Sequence, residues 1–300
     1  MYIFRFFCDS LIILLDNHII APAMAPVSFS FEQLLGYLIL WISIIQWLRW
    51  LTLEQKIKEI LFDCDNTLVL SEHLAFEACA ELANEILEKH GKSDRYTGPQ
   101  LLKEFVGQNF RGMMVSLQKK YGFEIPEAEF NQYVDRELGK VVETLEKKAE
   151  PCDGATEVLE KLFKSKKYGL AVVSSSALSR VQASIRKVGQ DKFFPAEHVY
   201  SAATSLEKPT SKPDPAIYLH ACKEIGVEPS QCVAIEDSKS GATAAKNAKI
   251  PLIGYVGAYD GKEEVDKMAK MLTEECGAIT IMYHWNEFFD CLAKVEKALA

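Results

Sequence analysis

Ile57-Lys58-Glu59-Ile60-Leu61-Phe62-Asp63-Cys64-Asp65-Asn66-Thr67 is the stretch on which the reading of this chain turns. Ile57–Phe62 is rich in Ile, Leu and Phe without the polar alternation of a half-wet strand, so it is expected to be a strand buried on both faces. It runs directly into two carboxylates, two residues apart. In an open parallel sheet, ligands bind outside the carboxyl ends of the strands. Asp63 and Asp65 would then both point to where a site belongs. An Asp/Asn-rich turn with capping residues is the other reading of this segment, and the other strand ends have to decide between them.

Working outward, similar apolar runs recur at Tyr168–Val173, His198–Ala202, Cys232–Glu236, Pro251–Val256 and Ala278–Met282. Between them Gly154–Lys164, Ala177–Val188, Pro215–Ile225 and Gly241–Lys249 carry apolar residues three and four apart, as amphipathic helices do. Strand–helix alternation of this kind builds an α/β fold with a doubly wound, Rossmann-like parallel sheet. One interval breaks the rhythm. About eighty residues between the first strand and Pro151 read as helix alone, far more than a crossover needs. Phe76, Cys79, Ala80, Ala83, Ile86 and Leu87 mark one apolar face there, and Phe130, Val134, Leu138, Val141, Val142 and Leu145 another. The expected organisation is an apolar extension over 1–55, a core from 56–71 and 151–300, and a helical insertion over 72–150.

With 300 residues, 48% hydrophobic and 25% charged, the chain can bury a core and a second small domain. A net charge of -8 offers no electrostatic ground for nucleic-acid binding. The 8 cysteines form no C-x-x-C pair and suggest reduced thiols in a cytoplasmic compartment. The extension is the odd part. Leu34–Leu51 would cover roughly 27 Å as a helix, near the thickness of a bilayer core. Arg49, Lys56 and Lys58 behind it would leave the soluble part in the cytosol. A membrane anchor, a cleaved signal ending near Ala21-Pro22-Ala23, and a segment outside the working protein (translation starting at Met24 or later) are the three readings. Beyond that stretch no membrane contact is expected, and the protein is expected to be a monomer or weak dimer.

The other strand ends favour a site. Tyr168–Val173 leads into Ser174-Ser175-Ser176, hydroxyls and N–H groups at the entry to a helix, suited to an anion. A helix N-cap would need only one of these serines. Lys208-Pro209-Thr210-Ser211-Lys212-Pro213-Asp214-Pro215 places Lys212 in a strand-to-helix loop, with Asp214 as cap and Pro215 in the first turn. Cys232–Ile235 delivers Glu236-Asp237, adjacent acids at the end of a buried strand, where a cation would offset their burial.

These residues, in this order, resemble the haloacid dehalogenase-like (HAD) hydrolases of the subfamily with a helical cap inserted after the first motif. The resemblance spans about Lys56 to Lys297, with Asp63-Cys64-Asp65-Asn66-Thr67 as motif I, Ser174 as motif II, Lys212 as motif III and Glu236-Asp237 as motif IV. Lys208, also followed by proline, is the rival for motif III, although Lys212 matches the flanking pattern better. Asn66 replaces the glycine many members carry; Asn is the next best residue for a left-handed backbone.

The resemblance implies a magnesium-dependent phosphatase acting on a small phosphorylated metabolite. Asp63 would be the nucleophile and Asp65 the general acid and base. Mg²⁺ would be held by Asp63, the Asp65 carbonyl and Asp237, with Glu236 a direct ligand or just behind one. Lys212, Ser174 and the neighbouring Ser175 would bind phosphoryl oxygens. Dehalogenases of the family need no magnesium and lack the second acid, so Asp65 favours a phosphate substrate. The stretch Phe105–Gly112 is similar to the family's cap loop, which makes Arg111 a candidate for a distal anionic group. A phosphosugar mutase uses the same residues and is the nearest alternative; a membrane-tethered protein with a vestigial site is the second.

Overall fold

The structure is a computed structural model; residues 57–105 and 108–300, with Gly36, are described. Leu34–Leu51 lies outside the described residues, and among those described no helix is long and apolar enough to cross a membrane. The chain runs β1 (Glu59–Phe62), β2 (Val69–Leu70), α1 (Glu72–Lys89), α2 (Gly98–Glu104), α3 (Phe110–Tyr121), α4 (Glu127–Lys148) and β3 (Glu150–Pro151). It continues with α5 (Ala155–Ser165), β4 (Gly169–Ser174), α6 (Leu178–Lys187), β5 (Val199–Ser201), α7 (Ala216–Ile225) and β6 (Cys232–Glu236). The last elements are α8 (Lys239–Asn247), β7 (Leu252–Tyr255), α9 (Lys262–Glu274), β8 (Thr280–Met282) and α10 (Phe288–Leu299).

The sheet order β5-β4-β1-β6-β7-β8 puts the first strand in the middle, with all pairings parallel. The chain builds outward from β1 in one direction through β4 and β5, then returns to its other side with β6. That reversal is the switch point at which an α/β sheet opens a crevice at its carboxyl edge. The register aligns Phe62 with Val172 on one side and Ile235 on the other, so Asp63, Ser174 and Glu236 leave the sheet as neighbours.

Alternation along β1 sends Ile60 and Phe62 to one face and Leu61 to the other. The first face is covered by α5, α6 and α10, the second by the buried faces of α7, α8 and α9, of which only that of α8 is built of small residues. On the first face Trp285, fully buried, stacks on Phe288 with centroids 5.8 Å apart and donates its indole N–H to the Thr67 carbonyl at 3.2 Å. A buried aromatic near the C-terminus thereby braces the loop after β1. The helices α1 to α4 gather a separate apolar cluster around Ile86, Leu101, Met114 and Leu117. The strands β2 and β3 pair antiparallel where the chain leaves and re-enters the core, and α4 also packs against α6.

Candidate active site

Asp63 follows β1 directly, its N–H held by the Ile235 carbonyl of β6 at 3.0 Å. The loop then closes on itself, with the Leu68 and Val69 N–H groups donating to the Cys64 carbonyl. That turn needs a left-handed residue, and Asn66 supplies it at φ 56°. Its side-chain amide donates to Glu72 at 2.8 Å, at the start of α1.

Lys212 is the hub. Its Nζ donates to Asp63 Oδ1 at 2.6 Å, Glu236 Oε1 at 2.6 Å and the Val173 carbonyl at 2.7 Å. Three acceptors satisfy the three N–H bonds of an ammonium. Only 7% of the residue is exposed, whereas Lys208 is exposed, so the site takes Lys212. One oxygen each from Asp63, Glu236 and Asp237 lies within 4.8 Å of the other two. Asp237 accepts from the Tyr259 hydroxyl at 3.2 Å and from Thr67 Oγ1 at 3.5 Å. Glu236 also accepts from the Tyr218 hydroxyl at 2.5 Å.

Three buried carboxylates face one ammonium, and the charges do not balance. Burial pushes Asp63 up to about 8, against the pull of Lys212 and with the repulsion of Glu236 and Asp65 added. Asp237 is raised well above the carboxylate range by burial, then by Asp63 and Glu236. Burial opposes the charge on Lys212, yet the two acids beside it raise its pKa above the ordinary lysine value. Glu236 Oε2 is buried without a hydrogen-bond partner. An all-oxygen donor set with surplus negative charge fits a hard divalent cation such as Mg²⁺.

Asp65 sits half-buried beside this group. Ser71 Oγ donates to its Oδ1 at 2.5 Å, and Ser176 Oγ and Ser174 Oγ donate to its Oδ2 at 2.7 and 3.4 Å. Ser174 is thus brought to the site, fully buried. The Ser175 hydroxyl accepts the Lys212 backbone N–H at 3.1 Å and so tethers the lysine's loop. Arg111 is not brought to this group by any contact in the structure: it donates to Asn131 at 2.8 Å and lies 5.1 Å from the Phe130 ring centroid, both on α4. Burial and the flanking acids push the Cys64 thiol well up, leaving it protonated. A cavity of about 640 Å³ opens elsewhere, lined by His73, Glu77, Lys148 and Lys187.

Sequence reasoning missed Ser71, Ser176, Tyr218 and Tyr259. Ser176 stood inside the quoted serine run. The two tyrosines had no local signal beyond their place in apolar patterns.

The family model for haloacid dehalogenase-like hydrolases matches residues 57–249. The chain is 30% identical to the validoxylamine A 7'-phosphate phosphatase of Streptomyces hygroscopicus subsp. limoneus, over 72% of this chain and 95% of that protein. It is 31% identical to a phosphorylated carbohydrates phosphatase of Thermotoga maritima, over 72% of this chain and 93% of the relative. A crystal structure of a haloacid dehalogenase-like protein from Agrobacterium tumefaciens superposes with TM-score 0.59 at 25% identity, covering 79% of this chain and 98% of the other. The chain belongs to the haloacid dehalogenase-like hydrolase family. It is an enzyme of the phosphoric monoester hydrolase type, and phosphatases of this family generally use Mg²⁺.

Proposed function

We propose that the chain is a Mg²⁺-dependent phosphatase of a small phosphomonoester, a sugar phosphate or related metabolite. The observation that carries this reading is the Lys212 ammonium shared between Asp63 and Glu236, with Asp237 completing the acidic group. Asp63 attacks phosphorus and forms an aspartyl-phosphate, dividing one difficult displacement into two. Asp65 gives its proton to the departing ester oxygen, then takes one from the water that cleaves the aspartyl-phosphate and releases inorganic phosphate. The hydroxyls of Ser71, Ser174 and Ser176 can switch between donor and acceptor as Asp65 changes protonation state.

Lys212 reduces the repulsion between an anionic nucleophile and an anionic ester. Asp63, the Asp65 carbonyl and Asp237 would hold Mg²⁺, with Glu236 beside them. Once bound, the ion would supply Lewis-acid stabilisation of the phosphoryl oxygens. Ser174 and the N–H groups that follow it would receive the phosphoryl group. The helices of residues 72–150 form the cap that selects the substrate. The described cysteines are free and buried, which suits a cytoplasmic enzyme.

A phosphate-release screen across phosphorylated metabolites, with and without Mg²⁺, tests the proposal. Mg²⁺-dependent release from one group of sugar phosphates is expected; no release from any ester overturns it. Supplying hexose 1-phosphate with a trace of bisphosphate separates the mutase reading, which yields isomerised sugar phosphate in place of free phosphate.

A further inference from the structure

Tyr218 is fully buried on α7, six residues after Lys212, and neither its burial nor its helix requires a hydroxyl at that place. Its O–H donates to Glu236 Oε1 at 2.5 Å, the same oxygen that Lys212 Nζ reaches at 2.6 Å. Its ring centroid lies 5.2 Å from that ammonium, within cation–π range. Burial and the Glu236 charge raise the phenol's pKa well above its usual value, so the proton stays on as a donor. The other Glu236 oxygen has no partner and lies so close to Gly241 of α8 that a Cβ there would collide with it. The carboxylate is therefore wedged against α8 on one side and held by two donors on the other.

We propose that Tyr218 is a positioning residue for the reaction, acting through Glu236 on Lys212. This rests on the phosphohydrolase reading of the site. Lys212 stands between two anions, and its placement on the nucleophile depends on how strongly the second anion draws it. The phenol satisfies part of Glu236, which leaves the ammonium with Asp63. The aromatic face beneath the ammonium limits the other direction of movement. Without the hydroxyl, Lys212 becomes the sole donor to Glu236 and shifts toward it. Asp63 then loses the contact that lowers the charge barrier to an incoming phosphate ester. Because the phenol does not touch the ester, its loss affects kcat more than substrate binding.

The test is Tyr218→Phe, which keeps the ring and removes one oxygen, assayed with Mg²⁺ on the best ester from the metabolite screen. A fall in kcat of on the order of 10-fold with KM within about twofold is expected. In an E236Q background the same substitution should cost little more, because both act along one chain of contacts. Circular dichroism checks folding, and Y218H, which restores a ring donor, should recover part of the lost rate. Unchanged kcat in Y218F, a change in KM alone, or a loss fully additive with E236Q overturns the proposal while leaving the hydrolase reading intact. A wild-type protein that hydrolyses no ester overturns both.

Discussion

Strand β1 carries a buried acid at each end, and the two occupy opposite environments. Glu59 opens the strand with 4% of its surface exposed, and Asp63 follows it with 7%. Burial raises both, Glu59 to about 7 and Asp63 to about 8. At the amino end no described residue forms an ion pair with the carboxylate. Glu59 Oε1 has no hydrogen-bond partner, its carboxylate lies over Gly169 where a Cβ would collide, and the buried thiols of Cys222 and Cys232 are near. At the carboxyl end Lys212 binds Asp63, and Glu236 and Asp237 crowd in beside it. A proton can relieve Glu59. Three carboxylates around one ammonium instead call for a cation, and burial at the switch point of the sheet makes that demand specific. The same desolvation is thus a local cost at one end and a device at the other.

The sharpest way to break the contrast is Asp63→Asn. Phosphate release should fall by on the order of 10⁴-fold or more, since no other carboxylate can take the nucleophile's place, while circular dichroism stays native. Surviving Mg²⁺-dependent turnover would reject Asp63 as nucleophile. Lys212→Met comes next. It leaves Asp63 and Glu236 buried without their cation, and removing one partner of such a pair costs about 3–5 kcal/mol; urea unfolding without metal at a pH above the value of about 8 to which burial pushes Asp63 should show this, together with a loss of kcat. Wild-type stability without Lys212 would mean that the acids are already protonated.

Glu59→Gln should act in the opposite sense and less strongly. A folded-state pKa raised above the unfolded value gives stability fully present below about 4.5 and lost as pH rises through about 7. The metal-free protein should therefore lose stability across that window, and Asp63 should extend the fall to about 8. Glu59→Gln should remove the first part and stabilise the protein at pH 8 by roughly 1 kcal/mol after allowance for solvent screening. Mg²⁺ should remove the second. Thermal unfolding between pH 4 and 9 reads both, and an unchanged slope in the variant would show that Glu59 is not the titrating group. The smallest effect belongs to the cap surface. Arg136 meets Glu85 with two bonds of 2.8 Å, but both side chains are about half exposed. Arg136→Ala should cost less than about 1 kcal/mol and leave kcat unchanged.

Much of the fold was legible because β1, β4, β6 and β7 are short apolar runs within helical periodicity, and they form within a residue or two of the expected limits. The strands β2 and β3 were not legible. Two residues each carry no period, and only their pairing with each other makes them strands. The helices α9 and α10 were not assigned from sequence either. In the second apolar face of the insertion Leu138 is 38% exposed, while Tyr133 and Thr144 take buried places on α4 instead. Ser175 shows the limit at the site. Its neighbourhood marked it as an anion contact, and the structure adds what no local pattern carries: its hydroxyl accepts a backbone N–H from a loop far along the chain, with its own O–H still available to donate.

Local pattern was enough for the class of fold and the chemistry at the strand ends, because periodicity and motif spacing act over a few residues and survive in any context. The three-dimensional packing was needed to show which hydroxyls reach Asp65, how Lys212 is shared between Asp63 and Glu236, and that Tyr218 stands behind Glu236. Those contacts join positions as far apart as the 149 residues between Asp63 and Lys212. They exist only once the sheet has set its register and burial has raised the energetic weight of every partner left unpaired.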